Sequence, residues 1–96
     1  SVRTFRDEYD SAAVGEAVVH LERAVRLNAD QKRLDPAAHH HLGIAYEYSR
    51  EWRAGKSVAS FEAAVREATL SASPPDAAVY QLALARALQN LGRDPN

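Results

Sequence analysis

Three consecutive histidines, His39, His40 and His41, are the residues of this chain best suited to chemistry. Imidazole binds metals and transfers protons near neutral pH. Their spacing argues against a shared ligand. On a helix of 3.6 residues per turn, successive side chains point about 100° apart. Metal-binding pairs on helices recur at i, i+3 or i, i+4. From these histidines such steps reach Leu42, Gly43, Ile44 and Ala45, none of which ligates a metal. The ordinary reading is one histidine packed and two exposed, with no metal and no other cofactor.

The remaining candidates are weaker. Glu47 and Glu51 stand one helical turn apart, and Glu8 lies near Asp7 and Asp10. Paired carboxylates do acid–base work only where a pocket shifts their pKa values; here they read as solvated faces. Ser57, Ser60, Ser71 and Ser73 lack the glycine-framed elbow of a nucleophile. Gly15, Gly43, Gly55 and Gly92 are too scattered to cradle a phosphate. The expectation is a protein that is not an enzyme.

Composition narrows the class further. Ninety-six residues make one domain at most. A chain of this size buries roughly 60–65% of its unfolded surface, enough for a thin core. The absence of cysteine excludes disulfides and thiolate metal sites. It fits a reducing compartment, so a cytoplasmic location is expected. Twelve basic and thirteen acidic residues leave a net charge of −1. That balance exerts no long-range pull on nucleic acid or anionic membranes. No stretch approaches the roughly 20 apolar residues that span a bilayer, so membrane insertion is not expected. Nineteen alanines, one isoleucine and two threonines favour helix over strand.

Periodicity and punctuation predict four helices, at about 12–27, 36–50, 54–70 and 76–91. The first carries Val14, Val18, Leu21 and Val25 on one face, with Ser11 as N-cap. Residues 28–34 read as a connection. Asp35-Pro36 is a capping residue followed by a first-turn proline. Val58, Phe61, Val65 and Ala68 mark the third helix. Residues 71–75, rich in serine and proline, read as a break. Gly92 stands where a glycine C-cap belongs. The short connections predict antiparallel neighbours.

The chain also repeats itself. A shift of 40 residues lays residues 15–28 on residues 55–68, with six of fourteen pairs identical. They are Gly15/Gly55, Val18/Val58, Glu22/Glu62, Ala24/Ala64, Val25/Val65 and Arg26/Arg66. The same shift places Ala37, Ala38, Leu42 and Ala45 on Ala77, Ala78, Leu82 and Ala85. Periods of this size mark stacked helical repeats.

The run Leu42-Gly43-Ile44-Ala45-Tyr46, followed by Phe61 and Ala64, resembles the tetratricopeptide repeat. Residues 16–25 look like the second helix of a preceding repeat, and residues 76–92 like the first helix of a following one. The repeat of that family is about 34 residues, and this one is 40. HEAT-like repeats have periods of about 40–47 residues, but the Leu-Gly-x-Ala-Tyr run favours the first resemblance. It implies an all-α solenoid of antiparallel helix–turn–helix units, a piece of a longer array, that binds a protein or peptide on its concave face. It also implies a packing role for Trp52 near a turn, the alternative being an exposed partner contact.

Carried over by position, that face presents Ala37, His40, Ile44, Glu47 and Tyr48 from the second helix. The fourth helix contributes Ala77, Tyr80, Leu84, Ala87 and Leu88. Members that clamp a peptide carboxylate use lysine, arginine and asparagine at such positions. Here they include His40, His41, Ile44, Ala77 and Gln81, so a chaperone-tail clamp is not expected. The fourth helix spreads apolar residues around most of its circumference, which calls for neighbours on several sides. A structural or self-association module, with homo-oligomers formed through helix 76–91, is the second functional expectation.

Overall fold

The Asp35-Pro36 pair starts a helix as its chemistry requires. In the computed structural model, which describes residues 2–49, 54–71 and 74–93, helix α2 spans Pro36–Tyr48. Asp35 is its N-cap and accepts a hydrogen bond from the Ala38 backbone N–H at 3.2 Å. Around it lie α1 (Val2–Asp30), α3 (Ala54–Leu70) and α4 (Pro74–Arg93). No strand occurs among the described residues, so the protein is all-α there. No described helix is long and apolar enough to cross a membrane. Trp52 and Glu51 lie outside the described residues.

Several boundaries differ from the sequence expectation: α1 runs on to Asp30, so residues 28–30 of the expected connection are helical, and α2 stops at Tyr48. Helix α1 begins at Val2, so Ser11 lies inside it and not at its start. Residues 2–13 contain neither glycine nor proline, and an apolar stripe reports where a helix packs rather than where it starts. Helix α4 begins at Pro74, because proline is tolerated in a first turn. It also runs through Gly92, which has no positive φ and therefore terminates nothing.

The residue that terminates a helix in the left-handed conformation is Lys32, with φ 54°. Lys32 N–H donates to the Ala29 carbonyl at 3.1 Å, and Arg33 N–H donates to the Asn28 carbonyl at 2.8 Å. These paired bonds form a Schellman cap. A side chain with a Cβ is disfavoured at that φ. Lys32→Gly is therefore expected to stabilise the fold by up to about 1 kcal/mol. Chemical denaturation would show the midpoint rising, and an unchanged or lower midpoint would refute the assignment.

Each helix packs on the next one in sequence. Contacting residue pairs run in opposite directions. Phe61 of α3 meets Gly43 of α2, while Glu67, further along α3, meets His39, earlier in α2. Likewise Val58 clusters with Ala87, and Ala68 clusters with Tyr80. The neighbours are thus antiparallel.

Phe61 is the centre of the core, with no exposed surface. Its ring lies so close to Gly43 that a Cβ there would sit 2.7 Å from Cε1. On its other side stand Ala83 and Ala87. Small residues let helices approach while the large ring fills the gap.

The internal repeat is only half reproduced in space. Val18, Leu21, Ala24 and Val25 of α1 are partly buried, as Val58, Phe61, Ala64 and Val65 are partly or wholly buried in α3. The other pair of helices departs. Leu42 is 5% exposed, whereas its counterpart Leu82 is 72% exposed. Ala38 and Ala45 are buried, whereas Ala78 and Ala85 are exposed. Helix α4 instead turns Tyr80, Ala83 and Ala87 inward. The two alanines face the Phe61 cluster, and Tyr80 packs with Ala64 and Ala68.

Candidate functional site

A shallow groove runs between α2 and α4. One end is a cleft of about 420 Å³ lined by His40, Ile44, Val79, Leu82, Ala83 and Arg86. The other is a cleft of about 360 Å³ lined by Ile44, Glu47, Tyr48, Arg86 and Asn90. Ile44 and Arg86 line both, so the two clefts adjoin. The first is the more aliphatic, and the second adds Glu47 and Asn90 to the wall.

Arg86 is the partition. Its Nη2 donates to Glu47 Oε1 at 2.6 Å, which bridges α4 to α2 across the groove. Its guanidinium carbon also stands 5.9 Å from the centre of the Phe61 ring. The arginine side chain is 54% exposed and the glutamate 14%. A partly exposed pair of this kind contributes little to stability. Its effect here is to fix where the charged side chains of the groove lie among the described residues.

His40 forms the inner wall of the apolar end. Its ring centroid lies 4.9 Å from that of Tyr80, 5.6 Å from that of Phe61 and 5.8 Å from that of His41. The Nδ1 atom is buried and has no hydrogen-bond partner among the described residues. Burial lowers the pKa of this ring below the usual histidine value, and the nearby His41 and Arg86 lower it further.

The sign of the consequence follows. Below pH 6.5 the unfolded chain takes up a proton that folded His40 refuses, so stability falls as pH drops from 6.5 through the folded pKa. Denaturation midpoints between pH 8 and 5 are expected to fall less steeply in His40→Phe than in the wild type. An identical slope would show that His40 does not couple to folding.

The histidine run does not divide as expected. His41 is exposed, but both His39 and His40 are packed. His39 Nε2 lies 2.8 Å from Glu67 Oε2. Glu67 Oε1 in turn accepts the Asp35 backbone N–H at 2.8 Å, and Asn28 Nδ2 donates to Asp35 Oδ2 at 3.1 Å. The chain Asn28–Asp35–Glu67–His39 ties the α1–α2 turn to α3. Among the described residues no group of three or more His, Asp or Glu side chains is placed to hold a metal ion.

A third cleft, of about 230 Å³, is lined by Val18, Glu22, Tyr46, Ser49 and Lys56. There the Tyr46 hydroxyl donates to Glu22 Oε2 at 2.5 Å, and Lys56 Nζ lies 5.5 Å from the ring centre. Burial, with the Glu22 hydrogen bond second, pushes the Tyr46 pKa up to about 12. The phenol stays neutral and donating, which is a structural role.

The sequence candidates thus separate. His40, Ile44, Glu47 and Tyr48 line the groove. Tyr80 does not; it is 7% exposed and packs against Ala64 and Ala68. Leu84 packs against the Phe61 cluster, and Leu88 is exposed but outside both clefts. The α4 positions reached by translating α2 by 40 residues do not line these clefts, because α4 is rotated relative to that translation. Val79, Leu82, Ala83, Arg86 and Asn90 supply its groove face instead. The local signal for it was the inward line of Tyr80, Ala83 and Ala87, one helical step away.

The described fold and groove define an all-helical chain of sequentially packed antiparallel helices with one mixed apolar and polar furrow. No family model matches this chain, and no curated protein or solved structure matches it.

Proposed function

We propose that this chain is a segment of a tetratricopeptide-like helical solenoid that binds a peptide or helix of another protein in the α2–α4 groove. The adjoining of the two clefts at Ile44 and Arg86, between α2 and α4, carries this reading. A furrow with an aliphatic end and a charged end suits an amphipathic segment, with apolar anchors at one end and polar contacts at the other. The approach of Phe61 to Gly43 supports the repeat assignment, since both lie in the residues that resemble the family motif. The rotation of α4 is the feature a regular array does not share.

Selection of displayed peptides on the chain, followed by affinity measurement on variants, tests the proposal. Val79→Asp and Tyr48→Ala alter exposed groove positions and leave the core in place. Selected peptides are expected to lose about tenfold or more in affinity for Val79→Asp, equivalent to about 1.4 kcal/mol. Peptides that bind both variants as tightly as the wild type would refute the groove, as would a selection that enriches nothing.

A further inference from the structure

We infer that the outward face of α4 is a self-association surface, on which the same helix of a second copy lies antiparallel. The face consists of Ala78, Leu82, Ala85 and Gln89, all exposed. Their spacing of four, three and four residues is that of a heptad seam.

Two observations say what covers it. The first is internal. Ala78, Leu82 and Ala85 are the repeat counterparts of Ala38, Leu42 and Ala45, which α2 buries among its helical neighbours. This chain therefore already uses that residue pattern to pack helix on helix, and in α4 it has no neighbour among the described residues.

The second is charge. The exposed faces of α1 and α3 carry Glu16, Arg23, Arg26, Lys56, Glu62 and Arg66. Residues 77–92 of α4 contain one charged side chain, Arg86, and Glu47 already pairs with it. A charged partner laid on this face would lose its hydration without gaining a counter-charge. A neutral helix incurs no such penalty.

The order of residue sizes makes the second copy the fitting neutral helix. In an antiparallel pair with its two-fold axis between Ala83 and Leu84, Leu82 of one copy lies over Ala85 of the other, and Gln89 lies over Ala78. Every layer then joins a larger side chain to alanine, and Arg86 falls beside Val79 of the second copy rather than beside another cation. A parallel pair would stack Leu82 on Leu82 and leave Ala85 facing Ala85 across a gap. Isologous contacts of this self-complementary kind are the commonest route to a dimer. The face, from residue 78 to residue 89, is about 17 Å long. One helix pair of that length falls below the roughly 1,200–2,000 Å² of a standard interface, so the dimer is weak and concentration-dependent.

This inference does not rest on the groove reading. Leu82 also borders the apolar cleft, but Ala85, Gln89 and Ala78 line neither cleft, so variants at these three positions leave the groove intact. Sedimentation equilibrium of the full chain from about 20 µM to 1 mM is expected to show mass rising from monomer toward dimer, as a dissociation constant near 10⁻⁴ M would give. Ala85→Lys is expected to weaken association at least tenfold with unchanged helicity and melting temperature.

Orientation is read by oxidation, because the chain has no cysteine of its own. A mixture of Ala78→Cys and Gln89→Cys chains is expected to form the mixed disulfide. Neither variant alone is expected to link, since antiparallel packing holds its two thiols about 17 Å apart along the axis. A strict monomer at 1 mM, self-linked Ala78→Cys dimers, or Ala85→Lys dimerising like the wild type would each overturn the inference.

Discussion

Replacing Phe61 with alanine is expected to destabilise the fold by about 3–5 kcal/mol, the range for deleting a large buried ring. That is a large part of the roughly 5–15 kcal/mol by which a domain is stable. The ring is wholly buried and meets α2 at Gly43 and α4 at Ala83 and Ala87. Its loss would loosen both contacts at once.

The reciprocal change separates packing from helix propensity. Gly43→Ala gains up to about 1 kcal/mol of propensity. Its new Cβ, however, would press on Cε1, Cδ1 and Cζ of a ring with no free side to move into. Overpacking costs typically about 1–3 kcal/mol, so the net change is expected to be destabilising. For a domain of this size each kcal/mol moves the melting temperature by about 4–8 °C. In a Phe61→Leu background the alanine at 43 is expected to be tolerated or favourable. Strict additivity of the two changes would show that they do not share a contact.

The second large effect is expected at Glu67. Its two carboxylate oxygens serve the Asp35 backbone N–H and His39 Nε2, both at 2.8 Å. Glu67→Ala would leave that N–H without its acceptor at the start of α2. A hydrogen bond to a charged group is worth about 1.5–3 kcal/mol, and a loss of about 2–3 kcal/mol is expected in chemical denaturation. Glu67→Gln keeps a carbonyl acceptor and is expected to lose less than half as much. If the two variants are equally unstable, the carboxylate charge rather than the cap contact is what matters.

The parts of this architecture that were legible in the sequence are those set by local chemistry. Asp35 and Pro36 announce a helix start through a side chain that accepts backbone N–H groups and a ring that needs none. The stripe of Val58, Phe61 and Val65 lies in α3, whose bounds are those expected. What sequence could not supply was the rotation of α4. Large apolar side chains of α4 fall both on the packed line, at Tyr80, and off it, at Leu82 and Leu88, so residue type alone does not name the packed face. The choice of Ala83 and Ala87 as the inner line depends on the bulk of Phe61, which stands on another helix. The clefts are lined from α2 by His40, Ile44, Glu47 and Tyr48, and from α4 by residues other than those that the 40-residue shift names. Glu67 escaped notice because its partners, Asp35 and His39, lie about thirty residues away.

The dominance of packing between helices adjacent in sequence has a kinetic corollary. Such contacts have small sequence separation, and chains dominated by them cross the folding barrier in microseconds to milliseconds. Amide protons should therefore report a gradient rather than a single value. Protection would be greatest in the middle helices around Phe61 and would fade along α1, which has one helical neighbour. Cooperativity would travel through the molecule link by link, as along a short chain of coupled units.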